Sequence, residues 1–130
     1  MRMIRRSLLV TALALTMVPA GMTTASADVR VLDAYCSPSG DYCTLILKKD
    51  RRIVFTVRAF ADYFGTVTTC VTKETRVCRS RSPREGDNGI YRWSIRWQSN
   101  YPREGAGIYT VRWLAESGDR IGPALHFRRR

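Results

Sequence analysis

From residue 28 onward the chain alternates apolar and polar positions with a period of two, and it does so in short runs. Tyr109, Val111 and Trp113 fall on one side of a pleat, and Ile108, Thr110, Arg112 and Leu114 on the other, with glycines at 105 and 107 marking the turn into the strand. The same rhythm places Ile53, Phe55, Val57 and Ala59 opposite Val54, Thr56 and Arg58 in a strand over Ile53–Phe60. It also turns Tyr91, Trp93, Ile95 and Trp97 inward and Arg92 and Arg96 outward in a strand over Ile90–Trp97. Further strands are predicted at Val29–Ala34, Cys43–Lys48, Gly65–Val71, Thr75–Cys78 and Ile121–Arg128, the last with Ile121, Pro123, Leu125 and Phe127 on one side. Lys48–Arg52 reads as a charged turn, and the polar, arginine-rich stretch from Arg79 to Asn88 as the longest loop. Nowhere in this part does a window of helical length show a 3.6-residue period. Seven to eight short strands separated by turn signals predict an all-β fold, a sandwich or barrel.

The first 27 residues have a different pattern and are expected to be an export signal rather than part of the fold. Arg2, Arg5 and Arg6 precede an apolar run from Ser7 to Met17, Pro19 and Gly21 interrupt it, and Ala25-Ser26-Ala27 is a small-x-small cleavage site. The run is shorter than the roughly 20 residues a spanning helix needs, so no transmembrane segment is expected in the mature chain. Arg5-Arg6-Ser7-Leu8-Leu9 leaves both the general and the twin-arginine routes open, with an ordinary basic n-region the simpler reading. The expected organisation is therefore a signal peptide over 1–27 and one domain over 28–130, secreted and extracellular.

That location gives the cysteines their meaning. Cys36, Cys43, Cys70 and Cys78 all follow the signal, and an even count in a small exported domain reads as two disulfides. Three connectivities are formally open. Local pairing, Cys36 with Cys43 and Cys70 with Cys78, is the simplest, because each pair flanks a turn. A four-cysteine zinc site would need closer spacing within each pair.

Charge changes the picture more than catalysis does. Removing Arg2, Arg5 and Arg6 from the formal +11 leaves +8 for the mature part. If the strands beginning at Ile53 and Ile90 are neighbours, Arg52, Arg58, Arg92 and Arg96 share an outer sheet face and become candidate anion-binding residues. An anionic cell-wall or extracellular polymer is the class of partner such a field attracts, and nucleic acid belongs to that class. The competing explanation is compositional, since the 22 basic residues are nearly all arginine, as in a GC-rich genome, and net charge alone favours solubility. No catalytic residue, metal ligand set or cofactor motif is assigned, and the protein is not expected to be an enzyme.

The Gly-x-Tyr-x-Val-x-Trp run of Gly107–Trp113 resembles the penultimate strand of immunoglobulin-like sandwiches, where a tyrosine near the strand start ties the corner back to the backbone. Over about Ile53 to the C-terminus the chain is similar to small secreted bacterial proteins with an immunoglobulin-like domain. The resemblance implies an antiparallel β-sandwich, with Tyr109 as the corner tyrosine. Neither Val57 nor Val111 is cysteine, so the intersheet bridge of true immunoglobulin domains is missing. In size and staple style the chain also looks like the neocarzinostatin-type apoproteins, which are acidic and bind a chromophore. The leading expectation is a secreted, non-enzymatic binding or interaction module with a basic surface. One alternative is a small secreted ribonuclease-like phosphodiester hydrolase, with Glu104 as base, Arg112 as clamp and His126 as acid. Another is a protease inhibitor presenting a disulfide-held loop, Ser37–Tyr42 or Val71–Val77. Finally, Pro83–Tyr91 and Pro102–Tyr109 share a Pro-Arg-Glu-Gly start and a Gly-Ile-Tyr end, read as similar turns into two strands rather than a duplicated ligand loop.

Overall fold

A computed structural model describes residues 28–130, so the expected signal segment, residues 1–27, lies outside the described residues. The strands are β1 (Val29–Cys36), β2 (Tyr42–Lys49), β3 (Arg52–Ala59), β4 (Val67–Thr72), β5 (Arg76–Arg81), β6 (Arg84–Glu85), β7 (Tyr91–Arg96), β8 (Gly107–Leu114) and β9 (Leu125–Arg129), with one helical turn, α1 (Trp97–Asn100), between β7 and β8. They form two antiparallel sheets, one ordered β1-β2-β3-β7-β6 and the other β5-β4-β8-β9. The all-β, two-sheet expectation is borne out.

The period-two pattern positions the core. Ile46, Phe55, Val57, Trp93 and Ile95 from the first sheet are buried with Val67, Val71, Tyr109, Val111, Trp113, Leu125 and Phe127 from the second. Tyr109 and Phe127 are register partners on β8 and β9, and their rings stack at 5.0 Å. Phe55 reaches across from β3 to Phe127, and Trp97 sets its edge against both Tyr109 and Phe127. Such aromatic contacts add to the area they remove from water. Tyr101, just after α1, buries its ring against Phe55 and donates its hydroxyl to the Thr69 carbonyl at 2.7 Å. Burial holds that phenol well above its ordinary pKa, so it remains a donor.

Two disulfides staple neighbouring strands. Cys36–Cys43 joins β1 to β2 and Cys70–Cys78 joins β4 to β5, in each case between directly opposed residues whose Cα atoms are 4.0 Å apart. Local pairing is thus the connectivity, and with all four sulfurs bridged none is left to ligate zinc.

Several local expectations need correction. The charged turn is tighter than its composition suggests: Asp50 and Arg51 both take positive φ, 50° and 65°, closing a two-residue hairpin between Lys49 and Arg52. The arginine-rich stretch is not one long loop, because β5 runs on to Arg81 and Arg84–Glu85 pairs with β7. Trp97 is buried as expected but opens α1 rather than extending the strand. The last strand starts at Leu125. Ile121 is buried and donates its N–H to the Trp113 carbonyl, but the chain then jogs at Gly122, where a Cβ would lie 2.9 Å from the Tyr35 ring, and Pro123 is left exposed.

The open side between the sheets is closed at one edge by Asp33. A bulge between Val31 and Asp33 shifts the register of β1, and the Asp33 carboxylate accepts the backbone N–H of His126 on β9 at 2.9 Å. An edge donor that could pair with another chain is thereby satisfied internally. Among the described residues no helix is long and apolar enough to cross a membrane.

Candidate anion-binding face

The outer face of the β1-β2-β3-β7-β6 sheet carries the four arginines singled out by their register. Pairing of β3 with β7 sets Arg58 directly opposite Arg92 and Val54 opposite Arg96. Arg52 lies on the same side of β3, six residues before Arg58, opposite Lys49 of β2. All four are exposed. Pairing of β6 with β7 adds Arg84, from the arginine-rich stretch expected to be a loop, directly opposite Arg92. Arg84, Arg92 and Arg58 therefore form one row across three adjacent strands, spaced at about 4.8 Å per strand. Like charges directly opposite in an antiparallel pair destabilise the sheet.

Among the described residues no carboxylate lies within ion-pair distance of this row. Among the described residues the one ion pair is Lys73 with Glu74, at the tip of the β4–β5 hairpin on the other sheet. The arginine face lines a broad groove together with the Arg81–Ile90 connection. Seven basic side chains line that groove against three acidic ones, Asp50, Glu85 and Asp87, and none of the three lies within ion-pair distance of a guanidinium. On the groove floor the hydroxyls of Thr56 and Ser94, register partners on β3 and β7, hydrogen-bond to each other at 3.1 Å.

Other arginines have structural work. Arg79 donates to the Asn100 carbonyl and Arg81 to the Asn100 side chain, holding α1 against β5. Arg129 and Arg103 place their guanidiniums over the Trp97 ring, at 4.9 and 5.9 Å from its centroid. Arg128 and Arg129 belong to β9, opposite Ile108 and Gly107.

Glu104 and His126 of the hydrolase alternative are engaged by other partners. Glu104 folds over the β4–β5 turn, where its carboxylate accepts the backbone N–H groups of Glu74 (2.6 Å) and Thr75 (3.0 Å) and the Thr75 hydroxyl. The Thr75 hydroxyl and then the Glu74 N–H hold its carboxyl below the usual carboxylate range, which makes it a weaker base. Arg112 and His126 do share the outer face of the second sheet, but Nδ1 of His126 is engaged 3.2 Å from the Thr110 hydroxyl. The two disulfide-bounded loops are short hairpin turns. Ser37 and Tyr42 exchange backbone and side-chain hydrogen bonds across the first, and Glu104 pins the tip of the second.

The two Pro-Arg-Glu-Gly runs reach different ends. In the first, Arg84-Glu85 forms β6 and Gly86 donates its N–H to the Ile90 carbonyl, closing a hairpin onto β7. In the second, Glu104 anchors the distant turn and Gly105 presents its carbonyl to the Tyr109 hydroxyl. No family model, curated protein or solved structure matches the chain.

Proposed function

We propose that the protein is a secreted, non-enzymatic binding module that holds an anionic polymer, of the kind found in cell walls and extracellular matrices, on its arginine face. The observation that carries this reading is the unneutralised row Arg84-Arg92-Arg58, flanked by Arg52 and Arg96 on the same exposed face. A row of like charges costs stability in the free protein, and a bound polyanion would offset that cost.

An immunoglobulin-like sandwich is the architecture we assign. In its support, β2-β3-β7-β6 follows the A-B-E-D order of such sheets and β5-β4-β8-β9 follows C′-C-F-G, with β1 as an added edge strand. Tyr109, near the start of β8 and two residues before Val111, bonds back to Gly105 as a corner tyrosine does. Export is supported by the two disulfides and by the basic, apolar and Ala-Ser-Ala segments of residues 1–27.

Retention on isolated cell wall at low salt, with release as salt is raised, tests the reading. Retention that persists at high salt, or none at low salt, would count against it.

A further inference from the structure

The arginine face is not wholly polar. Its β1 and β2 side carries an apolar strip beside Lys49: Val29 and Val31 are 50% and 55% exposed, and Leu47 and Val54 are half-buried beside them. Val31, Leu47, Val54 and Arg96 form one continuous row from β1 through β7, because each is the register partner of the next. The outer face of an antiparallel sandwich is ordinarily its solvated, polar side. Here an apolar strip about 10 Å wide, two strand spacings, runs directly into guanidiniums.

Resting on the arginine reading above, we propose that this face also takes an anionic amphiphile: a phosphate or carboxylate head carrying an alkyl or prenyl chain. The head sits on the guanidiniums of Arg96 and Arg92, and the chain lies across Val54, Leu47 and Val31, with Val29 at the edge of the strip. Three features favour this occupant. β2 and β3 are each paired on both sides, so the floor offers no free backbone groups to a peptide. The floor hydroxyls of Thr56 and Ser94 satisfy each other. The Arg81–Ile90 connection lines the same groove, so chain bounds the guanidinium end of the face. A second copy of the chain would bring a like-charged face against this one.

The test is calorimetric titration of the purified protein with dodecyl phosphate below its micelle concentration, ethyl phosphate, dodecyl maltoside and a linear polyphosphate. Each two methylenes covered should add about tenfold in affinity, so dodecyl phosphate should bind about a hundredfold tighter than ethyl phosphate if four are covered. The exposed pair Val29→Ser, Val31→Ser should remove about tenfold of that advantage and leave polyphosphate binding unchanged. Equal binding of dodecyl and ethyl phosphate, with polyphosphate still bound, would overturn the amphiphile and leave the arginine reading standing. Absence of binding to every phosphate would overturn both. Dodecyl maltoside binding as tightly as dodecyl phosphate, or a double variant that keeps the full chain-length effect, would also overturn the amphiphile.

Discussion

The Tyr109 hydroxyl donates at 2.7 Å to the carbonyl of Gly105, four positions back along the chain. It also accepts the Glu104 N–H at 3.0 Å, so one phenol closes the corner before β8 and fixes the residue that anchors the β4–β5 turn. Tyr109→Phe keeps the stacked ring and removes only the oxygen. The part-buried donor of Glu104 then loses its partner, and the change should cost about 1–3 kcal/mol in urea unfolding. A silent substitution would mean that the corner holds without its hydroxyl.

Glu104 makes a pH-dependent contribution whose sign is set by its lowered pKa. A depressed carboxylate stabilises above its unfolded-state pKa, and that stability is lost as pH falls through the lower folded-state value. Glu104→Gln should therefore be less stable than the parent at pH 7, and the gap should narrow as pH drops below about 4.3. Urea midpoints across that range measure it. A gap that stays constant with pH would show that the charge plays no part.

Trp113 is buried near the end of β8, facing the opposite sheet. Truncation to alanine should destabilise by about 3–5 kcal/mol, from lost burial and the cavity left behind. Loss of either disulfide should cost about 2.5 kcal/mol by the loop-closure estimate for loops this short. Peptide mapping should recover Cys36 linked to Cys43 and Cys70 linked to Cys78.

The parts of this fold that can be read in sequence are those governed by neighbours along the chain. Phe55, Val57, Trp93, Ile95, Val111 and Trp113 announce their inward side by alternation, and each is buried. Each cysteine pair flanks a turn, and the pairing follows. Contacts between distant residues leave no such mark. Glu104 looks like a solvated turn carboxylate until the β4–β5 hairpin arrives about thirty residues away to be capped. Arg84 joins the basic row through a two-residue strand, too short to show any period. The apolar outer face was hidden for another reason: Leu45-Ile46-Leu47 is an unbroken apolar run, in which no alternation reveals that Ile46 points inward and Leu47 outward.

The central claim is that the arginine face takes up anions, and the salt dependence of binding tests it most directly. For a duplex DNA probe, log K falls by about 0.9 per neutralised phosphate for each log unit of salt. If Arg92 and Arg96 each neutralise one phosphate, Arg92→Gln, Arg96→Gln should weaken binding and reduce the slope by about two units. Lysine at both positions should keep most of the slope, because charge rather than the arginine fork carries the interaction. Affinity unmoved by both salt and the double glutamine change would contradict the account.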